Sequence, residues 1–231
     1  MWSSACKAAL IKCKTLKVPT MRSLRKTTIC VGVLCLAACR AEEVQFDLDQ
    51  SDLVGAAEGQ PAMVDFEAVF EQFGDLEQEQ RDQIAEIEEI LERYLSIDDF
   101  ELATTRNGFE VTVEGEIALT AEPQRDDAWY LQVAASDVVE GFNRVQLTTG
   151  ADFEILEREM RAINFMLAPD AFHPTQFRVD ATDLEIIAPA AQIEGRFYLL
   201  WRGQVSERTN LNFAEGTFDE IGAGFLYRLQ D

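Results

Sequence analysis

The chain has 231 residues and a formal charge of −22 at pH 7, with 42 acidic residues against 20 lysines and arginines. So negative a protein is unsuited to bind nucleic acid, or to dock on anionic lipid head groups through its folded surface. All five cysteines and all five lysines lie at or before Cys39. No disulfide can therefore form beyond Cys39, and Schiff-base chemistry is excluded there.

The first twenty residues carry four lysines and no acid, and they precede a second methionine, Met21. We expect either that translation starts at Met21 and residues 1–20 come from a mis-called start, or that they form an extended basic leader. In both cases they take no part in the fold.

Residues 21–38 have the three parts of a secretory signal peptide. Arg22, Arg25 and Lys26 give it a basic start, an uncharged apolar run covers 29–38, and small residues close it. The apolar run is about half of the roughly 20 residues that a transmembrane helix needs. A cleaved signal peptide is therefore predicted, and an uncleaved membrane anchor is the less favoured alternative.

The end of this segment, Leu36-Ala37-Ala38-Cys39, resembles the lipobox of bacterial lipoproteins. The resemblance implies a diacylglyceryl group on the Cys39 thiol, cleavage between Ala38 and Cys39, and acylation of the new amino terminus. Residues 39–43 would then be a short lipidated tether. Arg40 is not the aspartate linked with inner-membrane retention in enteric bacteria, so the resemblance favours the outer membrane, facing the periplasm.

From Cys39 onward the composition changes, because 42 acids then face only 13 arginines, a formal charge of −29. Residues 44–121 predict two strands, a helix and two more strands. Apolar residues alternate over 44–48 and 64–70, which predicts the first two strands. The helix is predicted from apolar residues at helical spacing after an expected N-cap at Asp75. Asn107-Gly108 predicts a hairpin turn between the last two strands. Glu110, Glu114 and Glu116 indicate a solvated sheet face.

A polar stretch with a proline, 122–127, predicts a linker, and the pattern then recurs at offsets of 84 and 85 residues. The sequence 136–139 repeats the pattern of 51–54, and the sequence 183–186 repeats that of 99–102. A second helix is expected to begin near 149–152. We therefore predict an α+β fold of two tandem ββαββ-like repeats, 44–121 and 128–205. Each repeat would be an antiparallel sheet packed by one helix. Residues 206–231 would form a loop and a closing strand.

Motifs of known chemistry are scarce beyond the signal peptide. The chain has a single histidine, His173, expected in a loop, which disfavours a catalytic triad or a multi-histidine metal site. The motifs GxSxG, GxGxxG, HExxH and the P-loop do not occur. We predict no cofactor and no metal, and an enzyme is disfavoured; a pair of carboxylates is the chemistry that remains for one.

One candidate contact face follows from the alternation of aromatic residues. Trp129, Phe197 and Trp201 share the apolar phase of their strands and are expected in the core. The opposite phase is predicted to form a contact face of four residues, namely Tyr130, Arg196, Tyr198 and Arg202. The alternative is that the arginines only neutralise neighbouring acids.

The function predicted from these features is that of a membrane-anchored envelope lipoprotein with a non-enzymatic binding or structural role. Its partners would be the membrane, through the lipid anchor, and an envelope protein. The part beyond Cys39 also resembles envelope lipoproteins of bacteria and phages, so a prophage lipoprotein that alters the host surface is one alternative. A carboxylate-dependent hydrolase acting on envelope glycan is the other.

Overall fold

The computed structural model describes residues 41–123, 125–164, 175–213 and 224–230. Within them the chain forms eleven strands and three short helices. The elements are β1 (Ala41–Asp49), α1 (Gln50–Ala57), β2 (Ala62–Phe73), α2 (Gln78–Tyr94), β3 (Ser96–Thr104), β4 (Gly108–Thr120), β5 (Trp129–Ala135), β6 (Asn143–Thr149), α3 (Phe153–Ile163), β7 (Thr175–Asp180), β8 (Leu184–Ile193), β9 (Arg196–Val205), β10 (Arg208–Phe213) and β11 (Gly224–Leu229).

The strands belong to one sheet that closes on itself as a nine-stranded barrel. Its order is β10-β7-β1-β2-β4-β5-β6-β11-β8, and β8 pairs back to β10. Most neighbours are antiparallel, but β1 pairs with β7 and β4 with β5 in parallel. β3 and β9 lie outside this ring, since β3 pairs with β4 and β9 pairs with β8.

The predicted α+β fold with two ββαββ repeats is therefore wrong. The order of elements recurs in part, but the strand pairing does not. β1 pairs with β7, and β4 with β5, so strands of the expected first repeat hydrogen-bond to strands of the second. The expected linker, 122–127, lies inside the same compact unit, and the backbone N–H of Asp152 at the start of α3 donates to the Asp126 carbonyl at 2.8 Å.

The core lies inside the barrel, and the alternation of β1 shows how the sequence fills it. Phe46 is 2% exposed, and its ring stacks on that of Phe177 in β7, with the ring centroids 5.6 Å apart. Phe213 and Phe225 meet the Phe177 ring edge-on, at 5.7 and 5.4 Å. Aromatic rings from four strands thus meet at one point, where their burial stabilises the closed sheet.

The helices cover apolar surface that the strands leave open. α1 contacts β1, β2, β4 and β5, and its Leu53 and Ala56 are fully buried. α2 begins after Glu77, which forms a capping box with Gln80, so the N-cap expected at Asp75 was two residues too early. α3 begins at Phe153, directly after the stretch 149–152 where its start was predicted. α2 presents a buried apolar stripe at helical spacing, formed by Ile84, Ile87, Ile90 and Leu91.

A buried tyrosine joins the last strand to the first helix. The hydroxyl of Tyr227 in β11 donates a hydrogen bond to the Leu53 carbonyl of α1 at 2.6 Å. Burial raises the pKa of Tyr227 to about 12, and a hydrogen bond with Asn143 opposes the rise. The neutral hydroxyl is therefore the form that the fold stabilises.

We expect Tyr227→Phe to lower the free energy of unfolding by about 1–2 kcal/mol, because the Leu53 carbonyl loses a buried donor. In the wild type, the stability due to Tyr227 is complete below the unfolded pKa near 10. It is lost as the pH rises through about 12. The variant should lack that part of the alkaline loss. Urea unfolding between pH 8 and 12 measures both effects. Tyr198→Phe is the control, and an equal loss in both variants would contradict the prediction.

Candidate functional site

The candidate site is the β9 edge, defined as the strand Arg196–Val205. Among the described residues, β9 pairs only with β8, so its other edge carries unpaired backbone groups. Leu199 is 80% and Leu200 is 65% exposed, and Phe197 is 54% exposed. Because consecutive side chains of a strand point to opposite faces, β9 exposes apolar side chains on both faces. Exposed apolar edge strands are sites of pairing with another chain.

The β9 edge is positioned by a two-residue turn. Glu194 and Gly195 both have positive φ, at 48° and 74°, which is the backbone of a tight hairpin between β8 and β9. The alternation of apolar residues from Ile193 to Val205 predicts one long strand across 193–205. That prediction is wrong at this turn, where β8 ends and β9 begins. Gly195 was the signal that could have revealed it, since glycine adopts positive φ without steric cost.

A buried carboxylate fastens β9 to the barrel. Glu185 of β8 is 8% exposed, and its two oxygens accept from two arginines. Arg202 Nε of β9 donates at 2.5 Å, and Arg228 Nε of β11 donates at 2.6 Å. The hydrogen bond from Arg202, aided by Arg228, holds the pKa of Glu185 below its ordinary value, against the opposing effect of burial. One acid thus links three neighbouring strands.

We expect Glu185→Gln to destabilise the protein at neutral pH and to remove part of its acid sensitivity. Since the pKa of Glu185 is lowered by folding, its contribution is complete above the ordinary value of 4.5. The contribution is lost as the pH falls from there through the folded pKa. Urea midpoints between pH 3 and 7 test this. Glu207→Gln changes an exposed acid and should leave the profile unchanged; parallel profiles for wild type and Glu185→Gln would refute the prediction.

The four residues of the predicted contact face do not lie together. Tyr130 is 1% exposed in β5, where its hydroxyl donates to the Pro123 carbonyl at 3.2 Å. The Tyr130 side chain is thus buried, although alternation alone placed it in solvent. Tyr130 is therefore not part of a contact surface. Arg196, Tyr198 and Arg202 do share β9.

The three predicted residues of β9 differ in what they can offer a partner. Arg202 is engaged by Glu185, which agrees with the alternative that arginines neutralise nearby acids. Tyr198 is partly buried against the core. Arg196 is exposed and forms no ion pair with any described residue. Leu199 and Leu200 were missed as site residues, because the sequence does not reveal that β9 lies outside the ring.

The acidic residues form a solvated outer face, as predicted for β4. In the register of β2 and β4, acids oppose acids, and Glu114 of β4 faces Glu67 of β2 on one side and Asp99 of β3 on the other. Among the described residues, no three acidic, histidine or cysteine side chains are grouped so that they could hold a metal ion.

Leu36, Ala37, Ala38, Cys39 and His173 lie outside the described residues. Within the described part of the chain, no helix is both long and apolar enough to cross a membrane. No protein-family model matches the sequence, and no curated protein is significantly similar to it.

Proposed function

We propose that this protein is a bacterial envelope lipoprotein, anchored through acyl chains on Cys39, whose folded part binds another envelope protein without catalysing a reaction. The anchor rests on the lipobox resemblance of Leu36-Ala37-Ala38-Cys39. Each buried methylene contributes about 0.8 kcal/mol to membrane attachment, and stable attachment needs at least two chains. A triacylated Cys39 meets that requirement.

The observation that carries the binding function is the exposure of the β9 edge. Leu199 and Leu200 expose apolar surface on both faces of a strand whose outer backbone groups are unpaired among the described residues. An extended segment of a partner can add to such an edge as a further strand. Its backbone would supply affinity, and its side chains at alternate positions would pack on Phe197 and Leu199, or on Leu200.

Charge favours a different protein over a second copy of this chain as the occupant. An antiparallel pair of two β9 strands centred on Leu199 would place Arg196 opposite Arg202 of the other copy. Like charges that face each other directly are destabilising. From Cys39 onward each copy also carries a formal charge of −29, which opposes self-association at low ionic strength.

Arg196 indicates what the partner segment contains. Its guanidinium lies at the end of β9 next to the exposed apolar residues, and it forms no ion pair with a described residue. A carboxylate on the partner, placed opposite Arg196, would form a charge-assisted hydrogen bond and fix the register of the added strand. We therefore infer an extended, mainly apolar segment as the ligand, with one carboxylate placed opposite Arg196.

The anchor is tested by expressing the chain from Met21 beside the variant Cys39→Ala. The wild type should fractionate with membranes, begin at Cys39, and carry the added mass of acyl chains in intact-mass spectrometry. Cys39→Ala should lack that mass and leave the membrane fraction. Two soluble, unmodified proteins would refute the anchor.

Binding is tested with the photo-crosslinking residue p-benzoylphenylalanine in the membrane-anchored chain. Placed at Leu199, it should give one adduct with another envelope protein. At Val138, which is 78% exposed in the turn between β5 and β6, it should give none. The additional change Arg196→Glu should weaken the adduct at 199, because a carboxylate partner would then be repelled. An adduct with a second copy, or equal adducts at both positions, would overturn the proposed partner.

A further inference from the structure

The end of β2 and the start of β4 form an exposed tip that extends past the start of β1. This β2–β4 tip is defined as residues 73–74 and 106–108. Ala41, the first residue of β1, pairs with Phe70, and β2 continues from Phe70 to Phe73. At about 3.4 Å per residue, the β2–β4 tip therefore reaches roughly 10 Å beyond Ala41.

The β2–β4 tip is held in place by backbone pairing. Gly108 of β4 pairs with Phe73 of β2, and the N–H of Gly74 donates to the Asn107 carbonyl at 3.0 Å. A side chain at Gly108 would collide with the Gln72 carbonyl oxygen, so the two strands approach more closely here than another residue would allow. The side chains of the tip consequently have a fixed position relative to β1.

The β2–β4 tip exposes one aromatic ring and one cation. Phe73 is 64% exposed, although it lies in a strand of the barrel. Arg106 is exposed and forms no ion pair with any described residue. This combination suits the surface of a bilayer, because an aromatic ring is favourable at the boundary of head groups and acyl chains. A guanidinium there can donate charge-assisted hydrogen bonds to a lipid phosphate.

The proposed anchor would bring this end of the barrel to the membrane. Cys39 lies two residues before Ala41, and two residues of extended chain span at most about 7 Å. Acyl chains on Cys39 would therefore hold the membrane surface close to the start of β1. β2 lies beside β1, and its tip reaches further from Ala41 than Cys39 can, so the β2–β4 tip is able to touch the same head groups.

We propose that the β2–β4 tip docks on the bilayer surface beside Cys39, with Phe73 below the head groups and Arg106 bonded to a lipid phosphate. This inference rests on the proposed anchor. Zwitterionic phospholipid is the surface that fits, because Asp75 and Glu77 follow the tip in the chain and repel anionic lipid. A second contact besides the acyl chains would fix the orientation of the barrel, and with it the height at which the β9 edge meets its partner.

Docking is tested with a fluorescent label on the acylated protein in phosphatidylcholine vesicles. Cys39 is the last cysteine and its thiol is acylated, so in Phe73→Cys the new thiol alone can take the environment-sensitive label NBD. Phospholipid that carries a nitroxide on its head group should lower the NBD emission by about half or more. The matched control is Met63→Cys, which places the label on the same strand at a residue that is 50% exposed. It lies about 34 Å further from the membrane and should lose almost no emission.

A second pair of variants tests the role of Arg106. With the label at 73, Arg106→Glu should reduce the quenching by about two-fold or more, because the new carboxylate is repelled by lipid phosphate. Arg208→Glu makes the same change in charge at the opposite end of the barrel, since Arg208 pairs with Asp180 and Asp180 with Asp49 at the end of β1. It should leave the quenching unchanged. Phosphatidylglycerol vesicles should also reduce the quenching.

The outcomes separate failure of docking from failure of the anchor. Intact mass is measured on each variant before reconstitution, and a chain without acyl groups would refute the anchor and docking together. In acylated protein, equal quenching at 63 and 73, or none at 73, would overturn docking and leave the anchor standing. Stronger quenching in phosphatidylglycerol would overturn the choice of zwitterionic lipid. If circular dichroism shows that Phe73→Cys is unfolded, the label at Asn107→Cys gives the same comparison.

Discussion

Replacing Phe177 with alanine is expected to lower the free energy of unfolding by about 3–5 kcal/mol, the usual cost of removing a fully buried phenylalanine. Phe177 is 0% exposed, and its ring centroid lies 5.4, 5.6 and 5.7 Å from those of three other aromatic rings. Those rings belong to β1, β10 and β11, so the resulting cavity would lie where the barrel closes. The surrounding strands are constrained by their backbone ladders and can collapse only partly into it.

The matched control is Phe197→Ala on β9, which removes the same atoms from a side chain that is 54% exposed. Its cost should stay below about 1 kcal/mol, because little apolar surface is buried there in the free protein. Urea unfolding of both variants, followed by Trp129 and Trp201 fluorescence, gives the two values. Similar costs at both positions would mean that the aromatic cluster does not dominate the stability of the barrel.

Local elements were predictable because their signals are local. The Asn107-Gly108 turn between β3 and β4, the alternation of β1 and β2, and the start of α3 after Asp152 agree with the structure. Each depends on residues that are close in the chain, such as a turn dipeptide or a side-chain period. β7 was not predicted. The strand predicted at 183–186 overlaps the start of β8, but the next predicted strand began at Ile193 and ran across Gly195, where the structure has a turn.

The pairing of strands was not predictable in the same way. Two short sequence matches suggested a duplication, but the matched segments have different structures. Leu53 is fully buried in α1, whereas its counterpart Val138 is 78% exposed in a turn. Likewise β3 lies outside the ring, while β8, its supposed equivalent, closes it. Long-range pairing depends on the surfaces that all strands bury together, which a short internal match does not record.

The candidate site shows the same limit. Alternation correctly placed consecutive residues of β9 on opposite faces, but it cannot show whether either face meets the core. Phe197 was assigned to the core and is exposed. Tyr130 was assigned to the surface but is buried, and its hydroxyl donates to the Pro123 carbonyl. The sequence did show two arginines, Arg196 and Arg202, on a strand with apolar residues between them. In the proposed interface, Arg196 faces a carboxylate of the partner, and the two arginines together disfavour pairing with a second copy.

The second large effect is expected from salt. Raising NaCl from about 0.01 to about 0.5 M should increase the free energy of unfolding by about 1–3 kcal/mol. The reason is that three pairs of acids lie directly opposite each other on β2 and β4, and salt screens the repulsion within each pair. These pairs are Asp65–Glu116, Glu67–Glu114 and Glu71–Glu110. At the lower concentration the Debye length is about 30 Å, and at the higher one repulsion between exposed charges is largely screened.

Glu114→Arg should reproduce part of the salt effect, because Glu114 lies between Glu67 and Asp99 on the two neighbouring strands. At low salt the variant should gain about 1 kcal/mol, and its further gain with salt should be smaller. Glu140→Arg makes the same change in net charge in the turn between β5 and β6, so it separates the local repulsion from the charge of the whole protein. If both variants gain the same free energy of unfolding, the effect comes from the net charge of the protein. If the free energy of unfolding of the wild type does not change with salt, the opposed acids do not destabilise the sheet. A gain confined to Glu114→Arg would mean that this face is held together against its own repulsion by the apolar residues on the other side of the same strands.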